Sequence, residues 1–264
     1  MYNLLKLNLG RNSLRYVIRE YKIKEINIPY YLCNSVRKSI IKEGCKPVFY
    51  HIDDNFFPLK SFNISDFILY PDYFGICGKN VQILTKKYSN LIVDNSHSFF
   101  SQPSGLACFN SARKFLPVYN GSYLWIKSAF NTLNNDKIYR KSPENEYENI
   151  KNENDFENFE VLNINKKVLK DIENLDIEAI KQKRLSIFNE YNDFYKNQNL
   201  LNIDFNNIVC PFGYPFLVEN EKIADNLVKK LNNKNIIVYR YWENLPDTFI
   251  EYKFYKRLVI IPLK

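Results

Sequence analysis

An apolar run, Leu91-Ile92-Val93, stops at Asp94-Asn95-Ser96-His97, and a second segment, Ser111-Ala112-Arg113-Lys114-Phe115-Leu116-Pro117, follows it. If the run is a strand, the acid and the imidazole reach the carboxyl edge of a sheet, where open α/β sheets bind ligands. A lysine amine at that edge can hold an aldehyde covalently and then carry protons, provided desolvation or a nearby charge lowers its pKa. A buried carboxylate facing a ring nitrogen keeps that nitrogen protonated. An imidazole three residues past the acid can meet the ring face or a phenolic oxygen. Pyridoxal phosphate is a cofactor that uses all three groups.

Each residue also has a plainer explanation. Lys114 is one of 37 Lys and Arg residues, most of which are solvated surface groups. Asp94 can cap a helix after the strand, and His97 can be a histidine satisfied within the fold. The flanks of Lys114 weigh against the first alternative, because Phe109 and Phe115-Leu116 bracket it and Ser111 lies just before it. Two further segments belong to the same edge. Gly10-Arg11-Asn12-Ser13 opens a helix with a glycine and small polar groups, and such a start offers N–H donors and a hydroxyl to a phosphate. It is neither a Walker loop nor a dinucleotide fingerprint. Tyr30, Tyr31 and Cys33 follow a strand ending at Pro29, so an aromatic there either covers a ring or fills the core. His51 lies at a strand end and is given no role.

Strands are expected at Ile26–Pro29, Pro47–Ile52, Phe67–Leu69, Leu91–Val93 and Ser122–Ile126. Helices are expected near Asn12–Tyr21, Ser35–Glu43 (closed by Gly44) and Val81–Tyr88. This alternation predicts a three-layer α/β/α fold with a mostly parallel sheet, over residues 1–130. Residues 131–176 read as a polar connection, richest in Asn, Glu, Lys and Asp from Asn131 to Asn158. Residues 177–264 then read as a long helix, Ile177–Tyr195, and a small C-terminal α/β domain. Its expected strands are near Val209, at Phe216–Val218, Ile236–Tyr239 and Leu258–Ile261, with a helix at Ile223–Leu231.

Composition narrows the classes. Of the 264 residues 45% are hydrophobic, enough for a substantial core and against global disorder. The formal charge of +8 is dispersed, with no block of consecutive Lys or Arg, so a nucleic-acid partner is not expected. The five cysteines are odd in number and show no C-x-x-C pair, which argues against a disulfide framework and against a zinc site. No segment has the form of a signal peptide or the length of a membrane span. The expectation is a cytoplasmic protein with reduced thiols and no membrane partner.

Taken in order, the segments resemble the fold-type I pyridoxal phosphate aminotransferases of the DegT/StrS-like sugar aminotransferase family. The matching stretches are Leu9–Leu14, Ile28–Cys33, Gly44–Asp53, Asp72–Gly75, Val93–Ser98 and Ser111–Pro117, and then Cys210–Phe216 with Tyr241-Trp242. The resemblance implies pyridoxal 5'-phosphate as cofactor, held by Lys114, with Asp94 on the pyridinium nitrogen and His97 beside the phenolic oxygen. It puts Gly10, Arg11, Asn12 and Ser111 at the cofactor phosphate. Cys33 falls where relatives carry a ring-stacking aromatic, with Tyr31 as the substitute. It further implies a homodimer that moves an amino group from an amino acid donor, glutamate by analogy, to a keto sugar. A nucleotide-linked acceptor for surface polysaccharide is the analogous substrate. The sequence departs from the family in its short segments before Gly10 and after Pro262, and in Asn120-Gly121-Ser122 where the family has a glycine pair. A degenerate or minimal homologue acting as a binding or partner subunit is the alternative reading.

Overall fold

The computed structural model describes residues 1–127, 160–205, 208–238, 240–243 and 245–263. The expected polar stretch Asn131–Asn158 therefore lies outside the described residues.

A seven-stranded sheet forms the centre, in the order β1-β7-β6-β5-β4-β2-β3. Its strands are β1 (Asn3–Leu7), β2 (Glu25–Pro29), β3 (Lys46–Tyr50), β4 (Ile68–Pro71), β5 (Leu91–Asn95), β6 (Ala107–Asn110) and β7 (Ser122–Ile126). Neighbours from β6 through β3 pair in parallel, and β7 runs antiparallel to both β6 and β1. Every residue of β4, β5 and β6 is buried, as expected of parallel strands covered on both faces. Helices α1 (Gly10–Glu20) and α2 (Asn34–Lys42) pack on one face, where Leu14, Val17, Ile18, Val36 and Ile40 join Ile28, Leu69 and Ile92 in one core cluster. The other face carries Ile68, Tyr70, Leu91 and Val93 against α3 (Gly78–Lys87) and an aromatic cluster of Tyr31, Tyr73, Phe74 and Phe254. Successive strand residues alternate faces, so Asp94 shares the face of Ile92, on the α1 side.

The expected strands and helices of this half are present with shifted ends, and two strands appear that the sequence reading did not anticipate, β1 and β6. Within the stretch read as a polar connection, Leu7 bridges to Asn163, and α4 (Lys166–Glu173) buries Val168 and Ile172. Asn165 caps α4 by accepting the Lys167 N–H at 2.8 Å.

The second half holds α5 (Ile177–Tyr195), β8 (Gly213–Leu217), α6 (Glu221–Asn232), α7 (Tyr252–Arg257) and β9 (Leu258–Pro262). β8 and β9 form a two-stranded antiparallel sheet. Tyr214, Phe216, Val259 and Ile261 pack with Phe188 of α5 and Leu231 of α6, while Leu217, Leu258 and Ile260 join the aromatic cluster of the large sheet. The strands expected near Val209 and at Ile236–Tyr239 are not formed: residues 208–212 and 236–238 are irregular, and residue 239 lies outside the described set. The apolar stretch Ile236–Val238 instead lies beside the helices, with Val238 in their core cluster.

Candidate active site

Strand β5 carries its apolar run to the sheet edge and ends in Asp94, which is 7% exposed. Oδ1 of Asp94 accepts the Ser96 N–H at 2.8 Å, a tight turn that fixes the carboxylate at the strand end. Burial pushes its pKa up; the Ser96 contacts and the positive charge of Lys114 oppose that shift.

Lys114 arrives from the neighbouring strand. β6 ends at Asn110, Ser111 is buried just past it, and a 3-10 turn over Ala112–Lys114 brings the amine back to the edge. Its Nζ lies 5.7 Å from the centre of the Phe212 ring. The same ring stacks on His97, with centroids 4.5 Å apart and planes 9° from parallel. Trp242 lies parallel to His97 at 5.8 Å and Phe74 at 5.5 Å. His97 is thus a buried imidazole enclosed by aromatics. Burial, reinforced by the Lys114 charge, holds its pKa well below the ordinary value, so the ring is neutral. One amine therefore acts electrostatically on both the acid and the imidazole, and the three groups share one neighbourhood.

The head of α1 closes this edge. A methyl group at Gly10 would stand 3.0 Å from the Asn110 carbonyl oxygen and 3.4 Å from Ser96 Oγ, so the helix start lies close against this edge and a side chain there would require its neighbours to give by a few tenths of an ångström. The first N–H groups of a helix have no partner within it and favour an anion there. A buried acid, an amine, a neutral imidazole, a buried hydroxyl and a helix start converge at one edge. That donor set fits pyridoxal phosphate.

Three sequence expectations meet a different arrangement. Tyr31 is fully buried in the aromatic core, packed on Tyr73, Phe254 and Trp242, and its hydroxyl donates to the Tyr241 carbonyl at 2.6 Å. It braces the Tyr241-Trp242 segment, because its side chain enters the apolar cluster directly after Pro29. The Asn12 amide donates to Asn8 Oδ1 and to the Glu160 carbonyl, and its oxygen accepts from Arg15 Nη1. Those bonds tie the side chain to the flank of α1. Arg11 is half-buried on the wall of a cleft between α1 and α2.

The structure adds residues that sequence reasoning passed over. Asp72 follows β4 as Asp94 ends β5, and the Asp72 N–H donates to the Asp94 carbonyl at 3.0 Å. The pattern of an apolar run ending in aspartate was the available signal. Asp72 is 3% exposed and accepts the Cys77 N–H at 2.8 Å. Burial raises its pKa to about 6; bonds from Ser98 and Cys77 oppose the shift, and the Asp94 charge adds to it. A carboxyl raised in the folded state binds its proton where the unfolded chain has lost it. Stability therefore falls as pH rises from about 4 to about 6. The loss amounts to about 3 kcal/mol at ~1.4 kcal/mol per pK unit. Asp72→Asn keeps an acceptor for Cys77 and is expected to flatten this part of the profile. Urea unfolding of both proteins at pH 5 and pH 8 checks it; an unchanged pH dependence excludes the role.

Arg184 of α5, 9% exposed, donates through Nη2 to the Phe212 carbonyl at 2.7 Å and the Pro211 carbonyl at 3.1 Å, and stacks over Phe115 at 4.7 Å. The Phe212 N–H donates to the Phe74 carbonyl at 2.8 Å. The ring covering His97 is therefore held from both sides. Nothing in the local sequence of α5 marks Arg184, since its partners lie in distant segments.

Among known proteins, no family model and no curated sequence matches this chain. Solved structures do match. The chain superposes on the aminotransferase TlmJ of Streptoalloteichus hindustanus with a TM-score of 0.73 at 11% identity, covering 98% of this chain and 80% of that one. The putative sugar aminotransferase Spr1654 of Streptococcus pneumoniae, in its PMP form, gives 0.72 at 14% identity, over 98% and 82%. Helicobacter pylori PseC, an aminotransferase of pseudoaminic acid biosynthesis, gives 0.67 at 17% identity, over 98% and 81%. The chain thus has the fold of the sugar aminotransferases, and at these identities the likeness establishes the fold.

Proposed function

We propose that this protein is a pyridoxal phosphate-dependent aminotransferase that moves an amino group from an amino acid, glutamate by analogy, to a keto sugar. The observation that carries this reading is the buried Asp94 at the end of β5, with the charge of Lys114 acting on it and on His97. The fold shared with the putative sugar aminotransferase Spr1654 and with PseC supports it. When bound, the cofactor supplies an electron sink that makes the donor's Cα–H acidic. The chain's own groups do the rest. Asp94 would hold a proton on the cofactor's ring nitrogen, and a cationic partner there would offset the burial that otherwise favours the acid's neutral form. Lys114 would hold the cofactor's aldehyde through its amine, and as a free amine it would take up and return the proton lost from the donor's Cα. His97, neutral and stacked on Phe212, would orient the cofactor ring. Gly10 at the head of α1 and Ser111 just past β6 would hold the cofactor phosphate, while Arg11 lines the neighbouring cleft between α1 and α2. Phe212 and Trp242 exclude water from the reacting edge.

A nucleotide-linked acceptor, a role in surface polysaccharide, a homodimer and a cytoplasmic setting complete the proposal. Among the described residues no helix is long and apolar enough to cross a membrane. Purified protein is expected to turn yellow with added pyridoxal phosphate, and borohydride followed by peptide mapping is expected to leave the label on Lys114. A colourless protein that takes up no cofactor, or a label on another lysine, overturns the assignment and favours a binding or partner subunit.

A further inference from the structure

Helix α5 buries two residues, Phe188 and, one turn before it, Arg184. A phenylalanine on that face is ordinary core, whereas an arginine is rarely buried unless it is paired with an acid. Among the described residues no carboxylate acts on this guanidinium. It donates instead to the carbonyls of Phe212, Pro211 and Leu263, at 2.7, 3.1 and 3.4 Å, and its Nε is buried with no acceptor. The Cys210 thiol beside it is pushed up by burial and stays neutral, so it brings no countercharge. A hydrophobic side chain of similar volume would pack there without the cost of burying a charge. Stability alone does not account for the arginine.

What the guanidinium touches does account for it. Its centre lies 4.7 Å from the middle of the Phe115 ring, and Phe115 is the buried residue directly after Lys114. Phe115 meets Phe212 edge-on, with centroids 6.1 Å apart and planes at 65°. The Phe212 ring in turn stacks on His97 and has the Lys114 amine 5.7 Å from its centre. One flat cation therefore grips the turn that delivers the amine and the segment that covers the imidazole. The Phe212 backbone has little slack. Arg184 takes its carbonyl, and its N–H is spent on the Phe74 carbonyl at 2.8 Å. The next residue, Gly213, lies hard against β9: a methyl there would stand 2.6 Å from Ile260 Cγ2 and 2.9 Å from the Ile261 carbonyl oxygen. The ring itself makes no hydrogen bond, so its place over His97 is set by this backbone and by Phe115. A lysine ammonium at position 184 would keep the charge and lose both the fork and the stacking plane.

We propose that Arg184 is a positioning residue that acts through Phe212, a role that rests on the aminotransferase reading: it holds the Phe212 ring in register with the Lys114 turn, and so keeps the reacting edge covered. The chain has two histidines, His51 and His97, so their imidazole signals are separable by NMR of histidine-labelled protein without added cofactor. Phe212→Leu marks where the His97 signal lies once the stacked ring is gone. In Arg184→Lys the His97 signal is expected to move toward that position while the His51 signal stays. A stationary His97 signal overturns the proposal. The second measurement uses full-length protein loaded with pyridoxal phosphate and mixed with hydroxylamine, which removes the cofactor aldehyde as its oxime. Arg184→Lys is expected to speed that removal by about tenfold, within the range for coupled residues in contact, and to add nothing in a Phe212→Leu background. Equal rates in parent and Arg184→Lys, or a full additive effect in the double variant, overturn the proposal. Melting temperature is followed throughout, and if Arg184→Lys does not fold, Arg184→Gln, which takes the charge out of the interior, repeats both measurements. Borohydride labelling of Lys114 in the parent separates the two readings. Labelled Lys114 with a stationary His97 signal sinks the role of Arg184 alone; a parent that takes up no cofactor sinks the aminotransferase reading and this one with it.

Discussion

Lys114→Ala is expected to abolish transamination by at least about a thousandfold, equivalent to ~4 kcal/mol of barrier, and to end covalent retention of the cofactor. The magnitude follows from the double duty assigned to one amine. It anchors the aldehyde and it carries the proton, and no second lysine lies in the segments that meet at the edge, Ser96–Ser98, Gly10–Ser13 and Cys210–Phe212. Lys114 is only half-buried and sits at the end of a short turn, so the fold is expected to persist. Single-turnover assays with the donor amino acid, together with urea unfolding, separate the two effects. Full activity in the alanine variant would refute the assignment. A variant that is inactive because it is unfolded would be recognised by its urea curve, and Lys114→Arg then repeats the test with the charge retained.

The second large effect is structural. Gly75→Ala is expected to destabilise the protein by more than about 3 kcal/mol, joining the left-handed backbone penalty to overpacking. Gly75 has φ +76°, and a methyl there would lie 2.4 Å from the His97 carbonyl oxygen and 2.9 Å from Pro211 Cα. Both obstacles are backbone, so neither can swing aside. Phe74 just before it also has positive φ, at 53°, so the chain makes a left-handed turn at the point where the His97 loop and the 210–212 segment meet. Gly44 is the control. It has φ +66° with nothing within 4 Å of the added methyl, so Gly44→Ala is expected to show the conformational penalty alone, about 1–2 kcal/mol. Chemical unfolding of the two variants side by side decides the matter: equal losses would show that the contacts at Gly75 carry no weight.

Much of the candidate edge was legible in the sequence because its signals are local. An uninterrupted Leu-Ile-Val run ending in aspartate describes a buried parallel strand and its edge, and Gly44 ends α2 at a positive φ as a glycine there should. Other parts were illegible for physical reasons. β6 is Ala-Cys-Phe-Asn, too short and too weak in strand propensity to stand out, and it exists because β5 and β7 flank it. β1 pairs with β7, more than a hundred residues away in sequence, and its Leu7 bridges to Asn163, further still, so nothing near it signals a strand. Tyr31 reads equally well as a ring cover or as a core residue until Trp242 and Phe254 are beside it. The enclosure of His97 has the same character: Phe212 and Trp242 carry no catalytic signature, and only tertiary packing gives them a role.

That enclosure also bears on the order in which the molecule comes together. The hydrogen bond from Tyr31 to Tyr241 spans 210 positions of the chain, and that from His51 to Glu251 spans 200. Closing such long loops costs entropy before any contact is gained. The sheet, whose parallel core is assembled from nearer neighbours, is expected to form first. An early refolding species would thus carry Asp94 at a wet, unroofed edge, and tight cofactor capture would wait for the final collapse.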